Sequence, residues 1–155
     1  MKSARSGLGL LAVSGIAVFL ASLQATQRPE TWARALIKQA GVSGGIIVHV
    51  GCTDGRRTLA LRVNERYVVQ GLCRDDENLQ RARSYIQSRG LYGPVSVRRW
   101  DGEHLPYTDN LVNLIVIEPG VEVSRSEILR VLAPGGVALS NRTGRWRKLV
   151  KPWPD

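Results

Sequence analysis

The residue types able to do chemistry gather in short stretches that each follow an apolar run. The clearest is Ile46–Gly55, IIVHVGCTDG, where a β-favouring run enters Gly51 and a second glycine follows at Gly55. Glycine lacks a Cβ, so the backbone can turn sharply there and a ligand can approach it closely. A helix-compatible segment, Arg56–Asn64, comes next, and the first amides of a helix offer unpaired N–H groups and a positive dipole end to an anion. That pattern suits a nucleotide-type ligand. Cys73, Asp101–Gly102 and Glu118 close three further runs. Glu118 is placed to contact a substrate or take its proton, although a glutamate in a Glu-Pro-Gly turn is more often simply solvated.

These residues need a frame that brings strand ends together. Pro29–Ala40 reads as a helix with Trp32, Ala35, Leu36 and Ala40 on one face and Gly41 as its stop. Strands are expected at Ile46–Val50, Tyr67–Leu72, Val95–Arg99, Leu111–Ile117 and Val137–Ser140. Helices are expected between them, with Leu79, Ala82 and Ile86 facing inward in one and Ile128, Leu129 and Leu132 in another. Asp75 or Asp76 is expected to cap the former, and Pro134–Gly135–Gly136 to turn the chain into the fifth strand. Strands alternating with helices at this spacing predict an α/β fold: a mostly parallel, Rossmann-like sheet with helices on both faces. Ligands in such sheets sit beyond the carboxyl ends of the strands, which gathers Gly51–Gly55, Cys73, Asp101–Gly102 and Glu118 around one crevice.

The chain has 155 residues and a net charge of +9, and stays basic once Lys2 and Arg5 are set aside. Most charges are scattered among acids, so nucleic acid is not the expected partner. The exception is Arg142–Lys151, basic throughout, with Trp146 and Trp153 available for stacking; residues 142–155 read as a basic tail or linker. Residues 1–25 read as a signal peptide: Lys2 and Arg5, an uncharged stretch Leu8–Leu23, and small residues around Ala25. Export to the periplasm or cell envelope is therefore expected, with membrane attachment only if this segment is retained. The folded domain is expected over 26–141, and no metal site is expected.

Over Thr31–Ser140 the chain resembles the class I S-adenosylmethionine-dependent methyltransferases of the type 11 kind. The resemblance rests on HVGCTDG, the strand break at Cys73, DGEHLPYTDNLVNLIVI and EILRVLAPGG, in that order. It implies S-adenosylmethionine as a small-molecule cofactor. Gly51, Cys52, Thr53 and Gly55 would line its methionine portion, Cys73 would stand at the ribose, and Asp101 with Gly102 would border the adenine. Glu118 would be the catalytic candidate, acting on an acceptor the sequence does not name. Three positions depart from the family pattern: His49 replaces an acid, Thr53 a glycine, and Cys73 the acid that grips the ribose hydroxyls. A thiol accepts hydrogen bonds far less well than a carboxylate, and Asp75 is available as a substitute or as a helix cap. The alternative is a degenerate module that keeps the fold without activity. A nicotinamide dehydrogenase is disfavoured, because Gly51 and Gly55 lack the three-glycine spacing.

The tail TGRWRKLVKPWPD is similar to the junction in large exported proteins that continue into PQQ-like repeats. Two further strands that usually complete this fold are expected to be missing. Cys52 and Cys73 close neighbouring strands about 4.8 Å apart; they are either buried free thiols or, in an oxidising compartment, a disulfide.

Overall fold

The computed structural model describes residues 28–142 and 144–154, so the expected signal peptide lies outside the described residues. The elements run α1 (Pro29–Ala40), β1 (Gly45–Val50), α2 (Arg56–Ala60), β2 (Tyr67–Cys73), α3 (Asp76–Ser88), β3 (Val95–Arg99), β4 (Val112–Ile117), α4 (Arg125–Val131), β5 (Leu132–Asn141) and β6 (Trp146–Val150). They form one six-stranded sheet in the order β3-β2-β1-β4-β5-β6. The first five strands are parallel, and β6 runs antiparallel to β5. The order reverses between β1 and β4, which is where an open α/β sheet leaves a crevice.

Alternation along the strands divides the core in two. Ile47, Val69, Leu114 and Leu139 face α1, α2 and α3, where Trp32, Leu36, Leu61, Leu79 and Ile86 complete one cluster. Val48, Leu72, Ile115 and Ile117 face the other way, onto α4 and the loop after β3, with Trp100, Leu105 and Ile128. Each helix has its own boundary chemistry. α1 starts with proline and stops at Gly41, which takes φ 75° and donates to the Ile37 carbonyl. Its buried face is Trp32, Ala33, Leu36, Ile37 and Ala40; Ala35 faces solvent, so the expected stripe was rotated. Asp75 caps α3 through the Asn78 amide at 2.8 Å, and Ser124 caps α4 through the Glu127 amide at 3.2 Å.

Three further expectations give way. The helix after the glycine loop ends at Ala60, four residues short of Asn64. Pro134–Gly135–Gly136 is not a turn before the fifth strand but an irregularity within it. The β4–β5 register shifts between Val112 and Leu114, and proline is tolerated at such a point. A Cβ on Gly136 would lie 2.7 Å from the Ala133 carbonyl oxygen and 2.9 Å from that of Val112. The third concerns the tail. Trp146–Val150 pairs with Val137–Asn141 as a strand, so the sheet is extended where a basic linker was expected, and one antiparallel C-terminal strand is present.

Candidate active site

A cavity of about 480 Å³ opens at the carboxyl ends of β1, β2 and β4. Its walls are the loop from Gly51 to Gly55, the start of α2, Arg74 and Asp75 after β2, and Glu118 after β4. Gly51 takes φ 93°, a left-handed conformation suited to glycine. A Cβ there would lie 2.7 Å from Val121 Cγ2 and 3.1 Å from Glu118 Cβ. The turn is thus packed against the β4 loop, and glycine is needed for that contact as much as for ligand access. Gly55, at φ 80°, instead lies against the Ala82 backbone of α3, 2.9 Å from where its Cβ would be. It sets α2 on α3.

Within the loop, the amides of Gly51 and Cys52 both donate to the Leu72 carbonyl, at 3.0 and 3.1 Å. The Arg56 amide is taken by Asp54 at 3.0 Å. Among the described residues the amides of Thr53, Asp54 and Gly55 have no partner, and all three residues line the cavity. Backbone donors left open at a turn need a ligand or water to accept from them.

The floor is a hydrogen-bonded chain of side chains. His49 is buried at 2% exposure; its Nδ1 lies 2.8 Å from the Thr58 hydroxyl and its Nε2 3.0 Å from Glu118 Oε1. Arg57 donates to both Glu118 oxygens at 3.1 and 2.9 Å and lies 5.0 Å from the centroid of the Trp32 ring. Burial raises the Glu118 carboxyl, but hydrogen bonds and charge from His49, with Arg57, outweigh it and leave the pKa below its ordinary value. Glu118 is therefore a carboxylate at neutral pH, and in the neutral ring His49 carries its proton on Nε2, leaving Nδ1 to accept from Thr58. Gly71 makes room for this: it stands beside His49 in the β1–β2 register, and a Cβ on it would lie 2.9 Å from the Thr58 methyl.

The expected site residues divide into two groups. Gly51, Cys52, Thr53, Gly55 and Glu118 line the cavity. Cys73, Asp101 and Gly102 do not. Cys73 is fully buried and bonded to Cys52, with the two Cα atoms 4.9 Å apart, so it offers no free thiol to the cavity; the disulfide alternative holds. Asp101 turns back to accept from the Glu103 amide at 2.8 Å. Arg74 stands between Gly102 and the cavity: its Nη2 lies 2.7 Å from the Cβ position of Gly102, and its guanidinium 5.4 Å from the Trp100 centroid. Asp75 and Asn78 line the cavity where Cys73 does not. The Asp75 carboxylate spends one contact per oxygen on Asn78, at 2.8 and 2.7 Å, leaving acceptor capacity on both. Its pKa is lowered, first by the Asn78 amide bond. Arg57, Arg74, Asn78 and Val121 were missed, because their relevance comes from strand order and not from any local motif.

A loop of open amides at the switch point of a parallel sheet, beside a cavity with acids at both ends, defines a class I, Rossmann-like methyltransferase domain. Residues 48–140, more than half of the chain, match the methyltransferase domain family, and the chain belongs to it. The sterol 24-C-methyltransferase of Pneumocystis carinii is 31% identical over 108 residues, which cover 65% of this chain but only 29% of that protein. Among solved structures, an S-adenosyl-L-methionine-dependent methyltransferase of Methanococcus maripaludis superposes with a TM-score of 0.66 at 20% identity, covering 92% of this chain and 69% of the other; at that identity it shows the fold. The [4+2]-cyclase SpnF superposes with a TM-score of 0.64 at 25% identity, over 73% of this chain and 44% of its own. The fold thus hosts more than one chemistry.

Proposed function

We propose that this domain binds S-adenosylmethionine in the β1-end cavity and transfers its methyl group to a small-molecule acceptor. The observation that carries the reading is the trio of unpartnered amides at Thr53, Asp54 and Gly55, residues that line the same cavity as the Glu118 carboxylate. The donor set fits an amino-acid zwitterion: amides for a carboxylate, and Glu118 for an ammonium. Asp75 is the acceptor at hand for ribose hydroxyls, in place of the bridged Cys73. Arg74 must swing off Gly102 for a base to reach Asp101 and Gly102. When bound, the cofactor supplies an electrophilic methyl group on a sulfonium, and catalysis then depends largely on positioning. Glu118, ionised and already accepting from two partners, acts by its charge and orientation more than as a proton acceptor.

Calorimetric titration of the chain with S-adenosylmethionine tests this. Saturable binding is expected, lost in Gly51→Val, where a β-branched side chain opposes the turn and fills the space beside Val121. Circular dichroism checks that the variant folds. No heat from the parent at millimolar cofactor would overturn the reading and leave a module that keeps the fold alone.

Export belongs to the same proposal. The charge, apolar and small-residue pattern of residues 1–25 supports a cleaved signal and a mature chain starting near Thr26, and the tail resembles a junction that continues into PQQ-like repeats. Intact mass of the envelope fraction decides the first point; a soluble cytosolic product retaining Met1 would refute it.

A further inference from the structure

A second cavity, of about 570 Å³, lies at the ends of β4, β5 and β6, beside the start of α4. Val121 lines both this cavity and the first, so the two share a wall. The second cavity is lined by apolar residues, by the cations Arg125, Arg142, Arg147 and Lys148, and by one acid, Glu122. Ile128 and Leu149, which belong to the α4-side core, supply the apolar part. Arg125 and Arg147 supply the charge. Both are exposed, and neither has a carboxylate within ion-pair distance among the described residues. Their neighbour Arg142 differs, being paired with Glu122 at 2.8 Å. Lys148 also differs, since its ammonium donates across the sheet to the carbonyls of Gln39 and Ala40.

From this we infer that the second cavity is the acceptor site and takes a small amphipathic anion: an apolar chain bearing a phosphate or carboxylate. The apolar wall gains from removing a hydrocarbon body from water. Two unpaired guanidinium groups favour an oxyanion, which they can hold through paired N–H donors. A cationic or purely polar acceptor would leave part of the cavity unmatched. Through the shared Val121, an acceptor held there would adjoin the proposed cofactor cavity. The acceptor role rests on the proposed function; the binding chemistry does not.

Titrations of the full chain with hexyl phosphate and with hexanoate separate the two head groups. Inorganic phosphate and hexanol serve as half-probes. One of the two amphiphiles is expected to bind at least about tenfold more tightly than either half-probe. Arg147→Glu and Arg125→Glu should each weaken it by about tenfold or more, the scale of a charged hydrogen bond. Arg34→Glu, on the exposed side of α1, should not. Arg147→Gln gives a milder second variant. S-adenosylmethionine binding, titrated in parallel, should be unchanged by the Arg125 and Arg147 variants. Inorganic phosphate binding as tightly as both amphiphiles would overturn the proposal, as would no saturable binding at millimolar amphiphile or indifference to both arginines. If an amphiphile binds through the arginines but S-adenosylmethionine does not bind, the site stands and the methyltransferase reading falls.

Discussion

Gly51 joins the two halves of the site, and its constraint is doubled. Its φ of 93° is one that a side chain resists, at about 1–2 kcal/mol, and its Cβ position falls 2.7 Å from Val121 Cγ2. Forcing a methyl group into a packed contact adds about 1–3 kcal/mol. Gly51→Ala is therefore expected to destabilise the domain by about 2–5 kcal/mol, read as a lower urea midpoint. An unchanged midpoint would show that the turn relaxes freely. The need for glycine here was legible in the sequence, but its reason was not. The strand-then-glycine pattern suggested an opening for ligand, whereas the nearest neighbours are side chains of the β4 loop. The same applies to Glu118. Its place at a strand end could be read, but its partners His49 and Arg57 lie 69 and 61 residues away, and only the β1–β4 pairing brings them together.

At the scale of elements, the two most distinctive sequence segments form a single device. Arg130 of EILRVLAPGG donates to the Leu105 and Tyr107 carbonyls of DGEHLPY at 3.0 and 2.8 Å, and to Asp109 at 2.8 Å. Glu127 receives Arg130 at 2.8 and 2.9 Å and the Leu105 amide at 2.9 Å. The clamp fastens the loop after β3 to α4 and so covers the second face of the sheet with Trp100 and Leu105. The Arg130 hydrogen bond and the Leu105 amide hold the Glu127 carboxyl down at about 2, against an ordinary 4.5. Because its folded pKa is depressed, its stabilisation is fully present above pH 4.5 and is lost as pH falls toward about 2. Parent stability should therefore fall more steeply than that of Glu127→Gln across this window, measured by urea unfolding at successive pH values. Parallel profiles would show that the clamp contributes nothing. The motif pair could be seen in the sequence as two separate signatures; the hydrogen bonds between them belong to the tertiary fold.

For the molecule as a whole, the parallel sheet was legible because apolar runs alternate with helical segments, two of them opened by a capping side chain, Asp75 and Ser124. β6 was not, because WRKLV carries two cations in five residues and lacks the period-two alternation that marks a strand. Two long-range ties hold the sheet beyond its ladders. One is the Cys52–Cys73 disulfide, which closes a loop of sequence separation 21 and on chain-entropy grounds contributes about 3 kcal/mol. Reduction by a phosphine should accordingly lower the melting temperature by roughly 10 °C, and an unmoved transition would deny the bridge that role. The other tie is β6 itself. It covers the outer edge of β5 from Val137 to Asn141. Trp146 packs on Trp32 with ring centroids 6.3 Å apart, and the Lys148 ammonium caps the end of α1 at 2.8 Å from the Ala40 carbonyl. Removing residues 142–155 would strip all three at once. It would bare an apolar strand edge, Val137–Ala138–Leu139, and the Trp32 ring beside it. Open apolar edges recruit other chains, and a helix end without its cation loses a favourable contact. The truncated chain is thus expected to elute from size exclusion as aggregate, or to be recovered only from the insoluble fraction, while the parent stays monodisperse. If a chain ending at Asn141 is a monodisperse monomer with the parent's melting temperature, β6 is an ornament on a five-stranded domain and not its closing strand.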